Sequence, residues 1–288
     1  MGDVREQELT METRMKLLCS LALCGMALPL VGSPLGAAAS ARVSDCRPRW
    51  EIGDWWTVES QRYDRGENLP GASPGWLEKE SWKFSVEGTN AVGGEFCYRV
   101  SVRGQGGNQC PYWFVYWFRM SDLVVLRRQL YQPAGGKSLQ AATAPMVEVN
   151  YAPEEAMPFV PPDFPNLPMT TPRFGDSVTN EYSGASERAL GKAARTFAPK
   201  VTQDFHPGEK LSFAGPAGTK RVGPGTRAGV VVIGRGENKF ERQSWDGEHP
   251  WHVYAEEWEF GDPVRRSWLA DYGHTTPGAG GSKNGGGK

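Results

Sequence analysis

Alternation of apolar and polar residues is clearest in the first half of the chain, where it predicts β-strands. Between residues 82 and 87 one face is apolar and the other polar, with Trp82, Phe84 and Val86 opposite Lys83, Ser85 and Glu87. Residues 54–59 and 98–103 also carry strand signals. Because successive side chains of a strand point to opposite faces, we expect these segments to be half-buried strands.

Further strand signals follow at short intervals through the rest of the chain. They cover residues 112–118, 123–131, 211–213, 229–234 and 240–245, and a terminal hairpin of residues 251–260 and 264–271. Parallel strands need crossovers of about a dozen residues, so this spacing indicates antiparallel pairing. The predicted fold is mostly β, a large curved antiparallel sheet or open half-barrel with at most one or two short helices, one of them at residues 186–197.

A proline-rich segment, residues 133–175, interrupts the strand pattern. Its prolines exclude a central strand or a continuous helix there. They are Pro145, Pro153, Pro158, Pro161, Pro162, Pro165, Pro168 and Pro172. Two interpretations stay open, a lid over a binding site and an extended segment that wraps the sheet. The apolar side chains in it favour docking on the rest of the protein, namely Met157, Phe159, Phe164 and Leu167.

The N-terminal residues predict export. From Lys16 the chain reads KLLCSLALCGMALPL, and small residues at Ala37, Ala39 and Ala41 offer A-x-A cleavage sites. The apolar run is too short to span a bilayer comfortably. We therefore expect a leader of residues 1–41 with a signal peptide, and no transmembrane segment in the mature chain. The protein is then periplasmic or secreted, and a lipoprotein anchored through Cys24 is the less favoured alternative.

Residues 42–274 are predicted to form a single β-rich domain, followed by a disordered Gly/Ser/Lys tail at residues 275–288. Eleven Trp, 36 Gly and 22 Pro residues suit turn-rich sheets that carry aromatic side chains. The net charge is −1, and the leader alone carries −1, so the mature protein is formally neutral. A neutral protein without a basic stripe is not expected to bind nucleic acid.

Three cysteines lie in the mature chain, and export permits a disulfide. Cys97 lies in one alternating run and Cys110 opens the next, with glycines between them. A hairpin that closes near residues 103 and 104 would place these two cysteines opposite each other. Cys97–Cys110 is therefore the preferred bridge, with Cys46 left over, and three reduced, buried cysteines are the alternative.

Motifs for catalysis, metal binding and cofactors are weak. The sequence holds no serine elbow and no complete phosphate-binding loop, so no catalytic residue, metal or cofactor is predicted. Asp246, His249 and His252 would be the natural metal ligands, but positions three apart on a strand point to opposite faces. Glu257 and Glu259 share a face that we expect to be solvated, although paired acids would suit a glycoside hydrolase.

The excess of aromatic side chains is the remaining functional signal. Residues 112–118 are aromatic on both faces, so both faces must be covered. The cover is either the proline-rich segment or a helix, or else the sheet curves around an apolar ligand such as an acyl chain. Carbohydrate stacking on exposed Trp is a third option. The candidate ligand-binding residues are Trp55, Trp82, Phe84, Trp113, Tyr116 and Trp117.

Four stretches carry a resemblance to known proteins: residues 50–58 (WEIGDWWTV), residues 82–86, residues 92–94 leading into 97–102, and residues 117–126 (WFRMSDLVVL). This run resembles exported bacterial proteins of uncharacterised function whose open, half-barrel sheets are similar to periplasmic lipoprotein carriers of the LolA and LolB type. The resemblance implies a concave sheet lined by apolar side chains and no enzymatic activity.

We therefore expect a non-enzymatic exported binding protein for an apolar or amphipathic, lipid-like ligand, with a lipid or a lipoprotein as the candidate partner. Two alternatives stay open. One is an extracellular hydrolase that acts on polysaccharide or peptidoglycan, and the other is a cell-envelope component that binds another protein.

Overall fold

The computed structural model describes much of the chain after residue 41. The described residues are 42–66, 73–106, 110–132, 144–154, 156–160, 163–164, 166–175, 181–182, 201–209, 211–215, 218–221 and 228–276. They belong to one compact unit, Ser40–Lys288. The expected leader, the expected helix at residues 186–197 and most of the expected tail lie outside them. In this part of the chain no helix is long and apolar enough to cross a membrane.

The described residues form fifteen strands and one short 3-10 helix, Val43–Cys46. The strands are β1 (Asp54–Asp64), β2 (Gly75–Trp76), β3 (Glu80–Val92), β4 (Glu95–Gln105), β5 (Trp113–Arg119), β6 (Val125–Tyr131), β7 (Val147–Asn150), β8 (Glu181–Tyr182), β9 (Val201–Pro207), β10 (Ser212–Gly215), β11 (Gly218–Arg221), β12 (Ala228–Arg235), β13 (Lys239–Asp246), β14 (Tyr254–Glu259) and β15 (Asp262–His274).

Thirteen of these strands form one sheet. Its order is β7-β6-β5-β4-β3-β1-β15-β14-β13-β12-β9-β8, with β2 paired to β1 off this path and β10 and β11 in a separate two-stranded sheet. Each described strand pair is antiparallel. The first and last strands meet in the middle, while β7 and β8 end the sheet without pairing to each other. The predictions of a mostly β fold and of a large, open antiparallel sheet are confirmed.

The hairpin of β3 and β4 shows how local sequence sets the register. Gly93 and Gly94 form its two-residue turn, with φ of 59° and 86°. Positive φ at both central positions is the geometry of a type I′ turn, which glycine adopts without a steric penalty. The resulting register places Phe84 opposite Val102, so the apolar residues of both strands share one face.

The sheet curves so that its two halves enclose an irregular segment, which we call the inner segment and which consists of the described residues between 157 and 175, namely 157–160, 163–164 and 166–175. Arg173 reveals this curvature, because its main chain bonds to the Gln203 side chain on β9 while its Nε donates to Asp122 between β5 and β6, at 2.9 Å. In a flat sheet β5 and β9 would be about 40 Å apart, at about 4.8 Å per strand. The enclosed face is the inner face, and it holds the main core.

Polar side chains of the sheet satisfy the buried main chain of the inner segment. The contacts are Ser60 Oγ to Asn166 O (2.6 Å), Gln243 Nε2 to Thr170 O (2.8 Å), Arg265 Nη1 to Leu167 O (2.9 Å), and two bonds between the Gln203 side chain and the Arg173 main chain (2.8 and 3.0 Å). An irregular segment cannot pair its own N–H and C=O groups, so burial requires partners from outside it.

Part of the proline-rich region forms a strand that its composition did not predict. β7 lies within residues 133–175, between Pro145 and Pro153, and pairs with β6. It is the last strand on its side of the sheet, so it needs a partner on one side only. Prolines are tolerated beside an edge strand because one row of its N–H groups remains unpaired in any case.

The predicted Cys97–Cys110 disulfide is wrong, because the hairpin of β4 and β5 closes later than expected. β4 continues past residues 103 and 104, and Cys97 lies opposite Arg119. Cys110 precedes Trp113, which is itself six residues from Arg119, or about 20 Å along a strand. Cys97 also packs in a second core on the outer face, whereas Cys110 packs against the inner core. The three cysteines of the described residues are free.

We predict that Gln243→Leu destabilises the protein by about 3 kcal/mol. The Gln243 side chain donates to Thr170 O at 2.8 Å and accepts from Trp245 Nε1 at 2.8 Å. Leucine has a similar volume but leaves both groups buried without a partner, which costs about 1–3 kcal/mol each. Chemical denaturation followed by Trp fluorescence measures the change.

The matched control is Gln105→Leu at the exposed end of β4, which should stay within about 0.5 kcal/mol of the wild type. A loss for Gln243→Leu no larger than that of the control would contradict the role given to Gln243.

Candidate functional site

Stacked aromatic rings form the centre of the inner face. Ring centroids of Trp56 lie 4.9 Å from Trp50, 5.3 Å from Phe84 and 5.6 Å from Trp251. Phe84 and Trp251 are themselves 5.1 Å apart. Each such pair adds about 0.5–1.5 kcal/mol beyond the burial of its area. These four residues make a fixed apolar surface, which we call the aromatic wall.

The structure divides the six candidate ligand-binding residues between the two faces of the sheet. The inner face carries Trp82, Phe84 and Tyr116. The outer face carries Trp55, Trp113 and Trp117. A cation packs over each outer ring, at centroid distances of 4.5 Å for Lys83 on Trp55, 5.8 Å for Arg103 on Trp113 and 5.5 Å for Arg127 on Trp117. The six residues therefore do not form one site.

The inner segment occupies the space in front of the inner face. Its Phe164 lies 5.5 Å from Phe114 and its Phe174 lies 5.0 Å from Trp245, both as centroid distances. Leu167 is fully buried in the same core. The sequence left open whether a segment of the chain or a ligand covers these aromatic side chains. In the structure the chain's own residues cover them.

Several buried nitrogen atoms of the core have no hydrogen-bond partner among the described residues. They include Trp56 Nε1, Trp82 Nε1, Trp251 Nε1 and His252 Nδ1. Burial lowers the pKa of His252 to about 3, so its ring is neutral, and its Nε2 lies 3.0 Å from Ser267 Oγ. An unpaired buried polar group costs about 1–3 kcal/mol, so an acceptor oxygen placed beside an indole N–H would be stabilised there.

A buried ion cluster occupies the other half of the inner face. Arg265 lies 3.1 Å from Glu241 and 3.0 Å from Glu257. Arg235 also pairs with Glu257, and Lys239 lies 3.1 Å from it. Burial alone would raise the pKa of Glu257, but the three cations outweigh burial and hold that pKa at about 2. Glu257 is therefore ionised over the whole physiological range.

The expectation that Glu257 is solvated is wrong. The side chain is only 10% exposed, and it faces the interior beside Arg265, its register partner on β15. Alternation along one strand cannot reveal a partner on the next strand. Three members of the cluster, Arg235, Glu241 and Arg265, were not predicted at all. The available signal was the occurrence of charges at facing positions on β13, β14 and β15, where Glu241, Glu257 and Arg265 form one row.

A polar cavity of about 530 Å³, which we call the end cavity, lies where β1 begins and β15 ends. Two histidines line it, and the Nδ1 atom of each bonds to a carboxylate: His249 to Asp246 at 2.7 Å and His274 to Asp54 at 2.8 Å. Because a carboxylate only accepts, Nδ1 carries the proton in both rings. The bond to Asp246 raises the pKa of His249.

The metal ligands considered from the sequence do not converge. Asp246 and His249 meet, but His252 lies beside Ser267 instead. Within the described ranges no group of three or more His, Cys, Asp or Glu side chains is placed to hold a metal ion.

Comparisons with known proteins give no family for this chain. No protein-family model and no curated protein matches it. Two solved structures are similar over 78% of this chain. One, from Bacteroides fragilis, is described as a candidate exported protein with a YmcC-like fold (8% identity, 97% of that chain, TM-score 0.31). The other is a DUF1329 family protein from Desulfovibrio piger (7% identity, 87% of that chain, TM-score 0.30). Neither name states a ligand or an activity, and likeness at this level assigns none to the chain.

We predict that Glu257→Gln costs about 3–5 kcal/mol of stability near neutral pH, because two buried guanidinium groups lose a counter-ion. The folded pKa of about 2 lies below the ordinary 4.5, so the ionised carboxylate stabilises the fold above pH 4.5. This contribution is lost as the pH falls from 4.5 towards 2. The stability difference between wild type and variant should shrink over that window, and denaturant titrations across it measure the change.

Glu259→Gln is the matched control, since Glu259 is partly exposed and lies 3.8 Å from Lys239. Its cost should stay below about 1 kcal/mol. Equal costs for the two variants, or a Glu257→Gln difference independent of pH, would count against the ion cluster.

Proposed function

We propose that this protein is an exported, non-enzymatic binding protein whose ligand is apolar or amphipathic and lipid-like. The observation that carries the proposal is an aromatic inner face whose core is covered by a segment that belongs to no strand pair among the described residues. The signal-peptide pattern of residues 1–41 supports export. The resemblance of residues 50–126 to the lipoprotein carriers favours the same ligand class.

The inner segment can leave the inner face without breaking any strand pair. Strands of the sheet are joined by continuous ladders of main-chain bonds. Among the described residues the inner segment makes one bond between its own main chain and the main chain of the rest of the protein, from Phe174 N to Asp122 O at 2.9 Å. The other bonds to its main chain come from side chains of the sheet. Regions with few main-chain bonds open at a lower free energy than the whole fold.

An acyl chain would replace the apolar contacts that the segment gives up. About six of its large apolar side chains pack in the inner core, among them Leu167, Met169 and Phe174. At about 2 kcal/mol each, their undocking costs about 12 kcal/mol. A buried CH₂ group returns about 0.8 kcal/mol, so a chain of about fifteen carbons offsets the loss.

Polar groups of the inner face suit the polar end of such a ligand. When the segment leaves, Arg265 and Gln243 lose the carbonyl oxygens of Leu167 and Thr170. A carboxylate or ester oxygen would accept the same N–H groups. Trp82 Nε1 offers a further donor on this face.

Hydrolysis through Glu257 has less support. A general acid works best with a pKa close to the working pH. Glu257, with a pKa of about 2, is ionised and paired with Arg265 and Arg235. Its surroundings suit a structural ion pair.

The test compares ligand binding by the wild type and by Phe164→Ala. The Phe164 ring lies 5.6 Å from Tyr112 and 5.5 Å from Phe114, as centroid distances. Truncation therefore loosens the inner segment and leaves the side chains of the sheet unchanged. We expect delipidated wild-type protein to bind a fluorescent long-chain fatty acid. The variant should bind it about tenfold more tightly, because a larger fraction of molecules has the inner face open. Titration of the probe fluorescence measures both affinities.

Val115→Ala is the control, since Val115 is buried in the second core on the outer face. It should lower the melting temperature without changing affinity. Absence of probe binding by both the wild type and Phe164→Ala would overturn the proposal, as would equal gains in affinity from the two variants.

A further inference from the structure

We propose that the end cavity is a second binding site, separate from the inner face, and that its ligand is a small zwitterion carrying an acid group and an ammonium group. The proposal follows from the charges that line the cavity and from which of them are already paired. It is independent of what binds to the inner face.

The two carboxylates that bond to the histidines of the end cavity already have partners. Asp54 lines the cavity, and Asp246 precedes the lining residue Gly247 without lining the cavity itself. Asp54 accepts from His274 Nδ1 at 2.8 Å and from the Glu51 main chain at 2.7 Å. Asp246 accepts from His249 Nδ1 at 2.7 Å and from the main-chain N–H groups of residues 248 and 249 at 3.0 and 2.9 Å. These bonds fix the orientation of both imidazole rings. They also mean that both carboxylates already have partners within the protein.

Three exposed charged side chains that line the cavity have no side-chain partner within the described residues. One is Asp45, which accepts only the Arg42 main-chain N–H, at 2.8 Å. The other two are Arg49 and Glu248, and neither of these side chains makes a hydrogen bond or ion pair within the described residues. They also do not pair with each other, although a guanidinium and a carboxylate within reach would do so. A ligand with both signs of charge would satisfy both, its acid group on Arg49 and its ammonium on Glu248.

Size and walls favour an organic molecule over a bare ion. A cavity of about 530 Å³ is within the range of small-molecule sites, about 300–1,000 Å³, and much larger than one inorganic ion. Trp55 and Tyr272 give it aromatic walls. The Trp55 ring packs directly against Gly273 of β15, where a Cβ would lie only 2.9 Å from the ring. Arg47, which donates to the Met120 carbonyl at 3.2 Å, adds a second positive charge at the same cavity.

The test uses phosphorylethanolamine as the zwitterion, with inorganic phosphate and ethanolamine as its two halves. Isothermal titration of the purified protein should show binding of phosphorylethanolamine at least about tenfold tighter than either half. Arg49→Gln should weaken its binding about tenfold, and so should Glu248→Gln. Arg103→Gln on the outer face and Glu237→Gln in the exposed β12–β13 turn are the matched controls, and both should bind as the wild type does.

Two sources could supply such a group, a free solute or a lipid headgroup, and vesicles separate them. Co-sedimentation with phosphatidylethanolamine vesicles that is lost in Arg49→Gln identifies a headgroup. Binding of the soluble compound alone identifies a solute, and both results support the zwitterion site.

Three results would overturn the proposal. One is the absence of phosphorylethanolamine binding. Another is inorganic phosphate binding as tightly as the zwitterion, which would make the cavity an anion site. The third is Zn²⁺ binding that depends on His249 and His274 while phosphorylethanolamine does not bind, which would make the end cavity a metal site.

Discussion

The buried main chain of the inner segment is the constraint on which the rest of the inner face depends. Six prolines between residues 157 and 175 prevent it from forming a helix or joining the sheet. Its carbonyl groups are nevertheless buried, and each buried group without a partner costs about 1–3 kcal/mol. The sheet therefore presents inward-facing polar side chains at the matching positions, which are Ser60, Gln203, Gln243 and Arg265. Once Arg265 is buried it needs counter-ions, and Glu241 and Glu257 supply them.

The same segment couples the two halves of the sheet. Asp122 is buried between β5 and β6, where it pairs with Arg119 at 2.7 Å and with Arg173 of the inner segment at 2.9 Å. Leu123 beside it has a φ of 58°, a left-handed conformation that costs a non-glycine residue about 1–2 kcal/mol. Its full burial and the bonds around Asp122 offset that strain. Because Arg173 also bonds to Gln203 on β9, the segment fixes how strongly the sheet curves.

Local patterns predicted the strands well and their partners poorly. The alternation of residues 82–87 is a property of a few neighbouring residues, and it appears in the structure as expected. The Gly93-Gly94 turn of the same hairpin is set just as locally. The Cys97–Cys110 pair and the position of Glu257 depend on register between strands, where an offset of a few residues changes the neighbour. Alternation along β5 did place Trp113 and Trp117 on the face opposite Tyr116. Which of the two sets faces the interior follows from the curvature, and that depends on distant contacts such as Arg173 with Asp122.

Aromatic residues on the two faces of the sheet are covered in different ways, and this difference bears on what can bind. The outer rings carry cations, as with Lys83 over Trp55, and such a cover is part of the sheet itself. On the inner face a segment of the same chain provides the cover, so any ligand there competes with it. A ligand must then replace both its apolar contacts and the oxygens that Arg265 and Gln243 bind. A pure hydrocarbon leaves those N–H groups unpaired at about 1–3 kcal/mol each, and two such losses lower its affinity by a factor of more than ten. The proposed function therefore predicts a preference for amphipathic ligands over purely apolar ones, because the main chain of the inner segment sets the pattern of polar groups that a competitor has to match.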